Sequence, residues 1–197
     1  MFLKNELNLL IYFIIITFVS KTVYSNDNYF NKILKHISNI DYFSASFVQN
    51  DGINISEGKV FIGKNRVRAE YFSPDKILII LDEDKAMYYN YELDEDEFFN
   101  PKDTHAWVFY DIFRNPFFFE DASIKVNDNE LILEKDIIDL EQNKYFIKVF
   151  FEHKPITLRR VEFFVNEDFL QLSIFNHNYN ETFNEDFFKL INPNFFN

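Results

Sequence analysis

The residues that could carry chemistry are few and scattered along the chain. The four histidines, His36, His105, His153 and His177, have no carboxylate or second histidine at metal-ligand spacing. The chain has no G-x-S-x-G, no H-E-x-x-H, no phosphate-binding glycine loop and no cysteine. A carboxylate pair formed only on folding stays open, because spatial pairing cannot be read from sequence. The sequence therefore predicts a protein that is not an enzyme and holds no metal or cofactor.

The charge balance is acidic, with 20 Lys and Arg against 32 Asp and Glu and a net charge of -12. Such a surface repels nucleic acid and anionic lipid head groups, because too few cations replace the counterions of the phosphates. The acidic runs 82–84 and 93–97 lack the glycine and ligand spacing of a calcium loop, so they are interpreted as solvated turns. Nucleic acid is therefore excluded as a partner, and any lipid would have to enter a pocket.

The first 25 residues have the layout of a secretory signal peptide. Lys4 lies in a short polar segment, residues 9–19 are apolar apart from Thr17, and residues 23–25 suit cleavage before Asn26. The alternative is a membrane anchor, but this apolar run is shorter than the roughly 20 residues that span a bilayer. We expect residues 1–25 to be removed and residues 26–197 to form a single exported, soluble domain.

Residues 43–91 have the pattern of a meander of antiparallel strands. Five short runs rich in Val, Ile, Phe and Tyr are separated by turn residues at 50–52, 64–65, 73–75 and 82–84. The third run alternates between two faces: Val67, Ala69 and Tyr71 point one way, and Arg66, Arg68 and Glu70 point the other. The pattern predicts a sheet with one apolar face and one wet face, and residues 92–99 offer a sixth strand.

Strand patterns resume after Ala122 and bring the total to about eleven. The predicted strands are 123–126, 130–134, 145–151, 157–165 and 170–175, and residues 137–142 are a short helical or irregular link. This many antiparallel strands with two or three helices predict a mainly β, α+β fold in which an incomplete, strongly curved antiparallel β-barrel surrounds an interior. The aromatic tail, residues 183–196, is expected to pack against an open sheet edge.

Two helices are predicted to cover the sheet. Residues 26–40 carry apolar side chains spaced by three and four, and His36 beside this stripe is interpreted as solvated. Residues 104–114 form the second helix, which is apolar around nearly its whole surface. It is either a core helix, which the sequence favours, or a lid whose apolar side faces a ligand. The 27 phenylalanines fit a lipid pocket and the codon bias of an AT-rich genome equally well.

A series of short motifs runs in order along almost all of residues 26–197. The motifs are Phe47-x-Gln49, Gly58-x-x-Phe61, Arg68-x-x-Tyr71-x-x-Pro74, a hydrophobic strand ending in Asp82, another ending in Tyr88-Tyr89, Thr157-Leu158-Arg159-Arg160 and a closing Phe187-Phe188. Each motif is weak alone, but their order and spacing together resemble the periplasmic outer-membrane lipoprotein carrier family, LolA.

The resemblance implies an incomplete antiparallel barrel whose helical lid encloses a hydrophobic cavity, and a carrier function without catalysis. The implied partners are acylated lipoproteins, the ATP-driven inner-membrane complex that releases them and the outer-membrane receptor that accepts them. The resemblance also implies that the protein is a soluble periplasmic monomer. We predict that the acyl-chain cavity and lid are formed by Phe47, Phe61, Val67, Ala69, Tyr71, Met87, Tyr89, Val108, Phe109, Ile112 and Phe113.

Two positions depart from the family pattern. The family usually has Arg-Pro after the strand that ends here at Ile62, and that arginine helps to hold the lid. This chain has Gly63-Lys64 instead, so the predicted lid latch is Gly63, Lys64 or Arg66. The family's Asp-Gly turn is here Asp82-Glu83. The alternatives are a carrier for another acylated lipid, a periplasmic interaction module with a filled interior that binds partners at its rim or edge strand, and, third, a hydrolase of acyl lipids.

Overall fold

The computed structural model describes residues 23–115, 117–138, 142–165 and 168–196, which form one antiparallel sheet and two helices. Residues 1–22, the greater part of the predicted signal peptide, lie outside the described residues. Helix α1 spans Val23–Ser38 and helix α2 spans Ala106–Arg114. The strands are β1 Phe43–Asn50, β2 Ile55–Ile62, β3 Val67–Ser73, β4 Ile77–Leu81, β5 Ala86–Asn90, β6 Glu95–Phe99, β7 Ser123–Val126, β8 Glu130–Ile138, β9 Lys144–His153, β10 Ile156–Val165 and β11 Asp168–Asn178.

The sheet is open, with the strand order β6-β5-β4-β3-β2-β1-β11-β10-β9-β8-β7 and every neighbouring pair antiparallel. Both halves contribute to one apolar cluster, which contains Val60 of β2 and Leu131 of β8. The sheet therefore curves around a shared core, and the prediction of about eleven antiparallel strands in an unclosed sheet is confirmed. Among the described residues, no helix combines the length and apolar composition needed to cross a bilayer.

Several element boundaries differ from those predicted. Strand β6 begins at Glu95 and β8 continues to Ile138, into the predicted link, of which residues 139–141 lie outside the described residues. Helix α2 begins at Ala106 after a 3₁₀ turn at Pro101–Asp103. The hydroxyl of Thr104 accepts a hydrogen bond from the Ala106 N–H at 3.2 Å, so a threonine side chain satisfies one of the free amides of the first turn.

The outer face of β4 and β5 is covered rather than wet, because the C-terminal segment, residues 183–196, lies across this half of the sheet. Leu78, Ile80, Met87 and Tyr89 are buried there, and Leu190 packs against them. At the β6 end, Asn192 Nδ2 donates to Asp96 Oδ1 at 2.9 Å. The predicted edge position is therefore wrong for Phe183 and Phe187, which pack against Phe61 on the outer face, while Phe195 is exposed.

Helix α1 contacts the end of β11 through the histidine cluster, which comprises His36, Phe43, His177 and Tyr179. His36 is half-buried, not solvated as predicted, and its ring lies edge-on to Tyr179 with centroids 5.7 Å apart. Tyr179 stacks on Phe43 at 5.0 Å and on His177 at 6.1 Å. Burial is the main cause that lowers the pKa of both His36 and His177.

Candidate functional site

An apolar pocket of about 220 Å³ lies between α2 and the inner face of the sheet. Strand alternation creates its wall, because neighbouring strands place Val60 beside Ala69 and Ala69 beside Ile79 on the same face. Fifteen residues line it: Phe47, Gln49, Val60, Val67, Ala69, Tyr71, Ile79, Leu81, His105, Ala106, Phe109, Phe113, Leu170, Leu172 and Ile174.

Only three of these side chains carry polar atoms. The Tyr71 hydroxyl donates to Gln49 Oε1 at 2.8 Å, and His105 at the start of α2 packs edge-on against Tyr145 with centroids 5.6 Å apart. Burial raises the pKa of Tyr71 to about 12. The hydroxyl therefore stays neutral at physiological pH, and the pocket suits an uncharged, mostly apolar ligand.

The predicted cavity residues divide into three groups. Six of them line the pocket: Phe47, Val67, Ala69, Tyr71, Phe109 and Phe113. Val108 and Ile112 are on α2 but are buried in the core outside the pocket lining. Phe61, Met87 and Tyr89 pack on the outer face, since their register partners are Arg68, Ile80 and Leu78. Strand β5 has large apolar side chains on both faces, so its sequence does not indicate which of them point inward.

Sequence reasoning missed part of the pocket wall. Ile79 and Leu81 come from β4, and Leu170, Leu172 and Ile174 come from β11. The i, i+2 spacing of the β11 residues is a signal that could have assigned them to one face. In β4 the sequence Ile77–Leu81 is apolar throughout, so alternation there carries no information.

Gly58 is required by the position of Phe47 in the pocket wall. A Cβ atom at Gly58 would lie 2.4 Å from Phe47 Cζ and 2.4 Å from the backbone oxygen of Glu70. The glycine lets the Phe47 ring lie across β2, where it meets Tyr71 edge-on with centroids 5.0 Å apart. The glycine of the Gly58-x-x-Phe61 motif is thus needed for this close packing of Phe47.

Helix α2 is held over the pocket by Arg114 and Tyr110, residues that the sequence did not single out. Arg114 Nη1 and Nη2 each donate to the backbone oxygen of Ile40 at 3.2 Å, and Nη1 also reaches that of Lys64 at 3.5 Å. The Tyr110 hydroxyl donates to the backbone oxygen of Asn65 at 3.3 Å. The donors belong to the helix and the acceptors to the loops beside it, the reverse of the arrangement that the resemblance implied.

Two of the predicted latch residues contact the C-terminal segment instead of α2. Arg66 donates through Nε to Asp82 Oδ2 at 2.7 Å and through Nη1 to the backbone oxygen of Phe188 at 2.9 Å. A Cβ atom at Gly63 would lie 2.7 Å from the Phe188 ring. Lys64 alone takes part in holding α2, and it does so through its backbone oxygen rather than its side chain.

Comparison with known proteins gives matches to solved structures only. No family model and no curated protein sequence matches this chain. It is similar to an uncharacterized conserved protein from Thermus thermophilus, with a TM-score of 0.49, 8% identity and coverage of 80% of this chain and 91% of that one. It is also similar to a DUF1329 family protein from Desulfovibrio piger, with a TM-score of 0.49 and 8% identity. The match covers 80% of this chain and 93% of that one.

A chain of the MucA/MucB complex from Pseudomonas aeruginosa gives a TM-score of 0.46 at 9% identity over 82% of this chain. The present chain covers 59% of that chain's length.

The pocket can hold part of an apolar chain. Its 220 Å³ exceeds the roughly 150 Å³ of an engineered apolar cavity that binds benzene. A long acyl chain needs more space than this pocket provides. Within the described ranges, no three His, Asp or Glu side chains group closely enough to hold a metal ion.

Proposed function

We propose that this protein is a periplasmic carrier that binds the acyl chains of lipoproteins released from the inner membrane and delivers them to an outer-membrane receptor. The observation that carries the proposal is the apolar pocket beneath α2, whose inner residues Phe109 and Phe113 form its cover. Hydrogen bonds to backbone oxygens hold this helix in place. They can break and reform without a change in the protein's covalent structure.

Acyl chains are costly to expose to water. Each exposed methylene costs roughly 0.8 kcal/mol, so an acylated protein leaves a membrane only if an apolar environment replaces the bilayer. A pocket that fits the chains only when α2 lifts binds them with limited affinity, because part of the binding free energy is used to open the pocket. Limited strength is what a carrier needs, since it must give up its cargo at the receptor.

The remaining parts of the proposal follow from the carrier role. The inner-membrane release complex would supply the cargo, the outer-membrane receptor would accept it, and residues 1–25 would direct export to the periplasm. The protein would act as a monomer and would catalyse no reaction. The alternative is an interaction module that binds partners at its rim or at an edge strand. The unfilled pocket favours the carrier, because a module of that kind needs only a packed interior.

The test is whether the protein carries acylated molecules. The full chain is expressed with export in a Gram-negative host, purified without detergent and analysed by native mass spectrometry. The purified protein is then mixed with a triacylated lipopeptide and separated by gel filtration. We expect bound acylated species and co-elution of the lipopeptide. Protein free of lipid that also fails to co-elute with the lipopeptide would overturn the carrier proposal and favour the interaction module.

Delivery is tested separately with two membrane fractions. Inner-membrane vesicles that contain radiolabelled lipoprotein are incubated with the protein and ATP, and the label is followed into the soluble fraction and then into outer-membrane vesicles. We expect transfer that depends on the protein at both steps. Release without onward transfer would remove the receptor from the proposal and favour a carrier for another destination.

A further inference from the structure

A second pocket, of about 200 Å³, lies beside the first, towards the β3–β4 turn. The two pockets, here the inner and the outer pocket, share Gln49, Tyr71 and Ile79. The outer pocket is further lined by Ser56, Ser73, Pro74, Asp75, Ile77 and Tyr88. The hydrogen-bonded pair of Gln49 and Tyr71 therefore stands at the boundary between an apolar compartment and a more polar one.

The pair has unused hydrogen-bonding capacity. Tyr71 donates to Gln49 Oε1 at 2.8 Å, so the NH2 group of the Gln49 amide is turned away from this hydroxyl. The amide nitrogen of Gln49 has no hydrogen-bond partner among the residues that the structure describes. Phe47 packs edge-on against Tyr71 at 5.0 Å and limits its movement. Gln49 thus presents oriented N–H donors at the boundary.

The charges around the two pockets disfavour anions. No Lys or Arg is among the described residues that line either pocket, and the single carboxylate there is Asp75 of the outer pocket. The nearby cations point to the outer face, where Lys59 lies over Phe61 and Arg68 lies over Phe187. A carboxylate or phosphate held beside Gln49 and Tyr71 would give up part of its hydration without gaining a Lys or Arg partner, which is unfavourable.

We infer that Gln49 binds the carbonyl oxygen of a fatty-acyl ester or amide, with Tyr71 as its positioning residue, and that the site selects such neutral acyl groups over free fatty acids. The inference rests on the proposed carrier function and names its ligand class. The hydrocarbon chain enters the inner pocket, which widens as α2 lifts, and the carbonyl meets the Gln49 amide at the boundary. The head group extends into the outer pocket, where Ser56 and Ser73 offer hydroxyl groups.

The experiment compares ligands that differ at the carbonyl. A neutral apolar fluorophore bound to the full-chain protein is displaced at pH 8 by glycerol monopalmitate, by palmitate and by a peptide with an N-terminal diacylglyceryl cysteine. We expect the ester to bind at least tenfold more tightly than palmitate. Gln49→Leu should weaken ester binding about three- to tenfold, the size expected for one neutral hydrogen bond, and should leave palmitate binding unchanged.

Two further variants separate recognition from structure. Tyr71→Phe should weaken ester binding less than Gln49→Leu does, because it removes only the bond that orients the amide. Gln171→Leu is the matched control, since Gln171 lies on β11 with its amide bonded to Ser173 at 3.2 Å and lines neither pocket. It should change no ligand's affinity. Gln49→Met replaces Gln49→Leu if the latter does not fold.

The outcomes distinguish the inference from the carrier proposal. Equal affinity for palmitate and its glycerol ester, or ester binding unaffected by Gln49→Leu, would overturn the inference and leave the carrier intact. Failure of all three ligands to displace the fluorophore would overturn the carrier proposal itself. Loss of affinity for both the monoester and the lipopeptide in Gln49→Leu supports the inference. The tighter of these two then identifies a free acylglycerol or a lipoprotein as the source of the carbonyl.

Discussion

Arg114 connects the cover of the pocket to the rest of the molecule. Its guanidinium donates to the backbone oxygens of Ile40, after α1, and Lys64, after β2. Its Nε is buried without a partner among the described residues, and burial lowers the pKa of the guanidinium. A buried, partly unsatisfied cation is costly, so these hydrogen bonds make only a modest net contribution to stability.

The first prediction is that Arg114→Met loosens α2 without unfolding the domain. The lost hydrogen bonds should lower the free energy of unfolding by about 1 to 3 kcal/mol, and the amides of α2 should exchange hydrogen faster. The uptake rate of a neutral apolar fluorophore should rise. Arg159→Met is the control, because Arg159 pairs with Glu152 on the surface. Uptake at the wild-type rate with unchanged exchange would mean that other contacts hold the helix.

A second prediction at the residue scale concerns the pocket wall. Ala69→Asp places a carboxylate in the apolar pocket, where burial would raise its pKa and penalise its charged form. We expect a folded protein that loses acyl-ligand binding at pH 8 and recovers part of it near pH 5, as the carboxyl becomes neutral. Phe72→Asp on the same strand is exposed and should bind normally. Full binding by Ala69→Asp at pH 8 would place the ligand elsewhere.

At the scale of elements, α2 has two apolar faces with different neighbours. Phe109 and Phe113 line the pocket, and Phe113 also belongs to the buried core, whereas Val108 and Ile112 are buried in the core alone. The core-helix interpretation therefore holds for the face that carries Val108 and Ile112, and the lid interpretation stays a prediction for the face that lines the pocket. Neighbouring residues of the same helix can test them separately.

The third prediction compares Ile112→Ala with Phe113→Ala. Ile112 is 1% exposed and packed in the core, so its truncation should cost about 2 to 5 kcal/mol. Phe113 borders unfilled space, so its truncation should cost the ligand-free protein less than the roughly 3 to 5 kcal/mol that is typical of a buried Phe. Retention of a bound lipopeptide should fall in Phe113→Ala. Denaturant midpoints measure the stability changes, and a retention assay measures how much lipopeptide stays bound. A full-sized stability loss with normal retention would exclude a covering role.

The C-terminal segment is the element on which the fourth prediction depends. Replacing Gly63 by arginine would restore the residue type that the resembling family has near this position. Here a Cβ at Gly63 would meet the Phe188 ring at 2.7 Å, so Gly63→Arg should displace the segment and cost about 1 to 3 kcal/mol through overpacking. The exposed outer face of β4 and β5 should then bind an apolar dye. Slower ligand uptake with undiminished stability would instead support a latch at Gly63.

The sequence predicted the elements better than their environments. The meander was predictable because β3 alternates strictly, with Val67, Ala69 and Tyr71 on one face. The burial of the outer face of β4 and β5 was not predictable. These strands have apolar residues on both faces, and only the folded structure shows that the C-terminal segment covers one of them. The role of Arg114 was hidden for another reason: its acceptors are backbone oxygens, which every residue has, so no side-chain partner appears in the sequence.

At the scale of the whole molecule, α1 and the C-terminal segment lie on opposite faces of the sheet. The C-terminal segment covers the outer face of β2 to β5, and α1 packs on the inner side against β7, β10 and α2. The histidine cluster fastens α1 to the end of β11, and His36 Nε2 is buried there without a partner among the described residues. Burial lowers the pKa of both imidazoles in this attachment, so mild acid is expected to weaken it.

The fifth prediction is that stability falls as the pH drops below about 6.5. Burial holds the pKa of His36 and His177 below the ordinary value of 6.5, so the unfolded chain binds protons in a range where the folded protein does not. Stability from these groups is therefore complete above pH 6.5 and is lost as the pH falls towards their folded pKa values.

Urea midpoints between pH 7.5 and 5.5 should decrease, and protonation should first increase hydrogen exchange in α1. The double variant His36→Gln, His177→Gln should flatten this dependence, since glutamine at position 177 can still donate to the Leu158 backbone oxygen that lies 2.6 Å from His177 Nε2. The same slope in wild type and double variant would assign the acid sensitivity to carboxylates and leave α1 attached by apolar contacts alone.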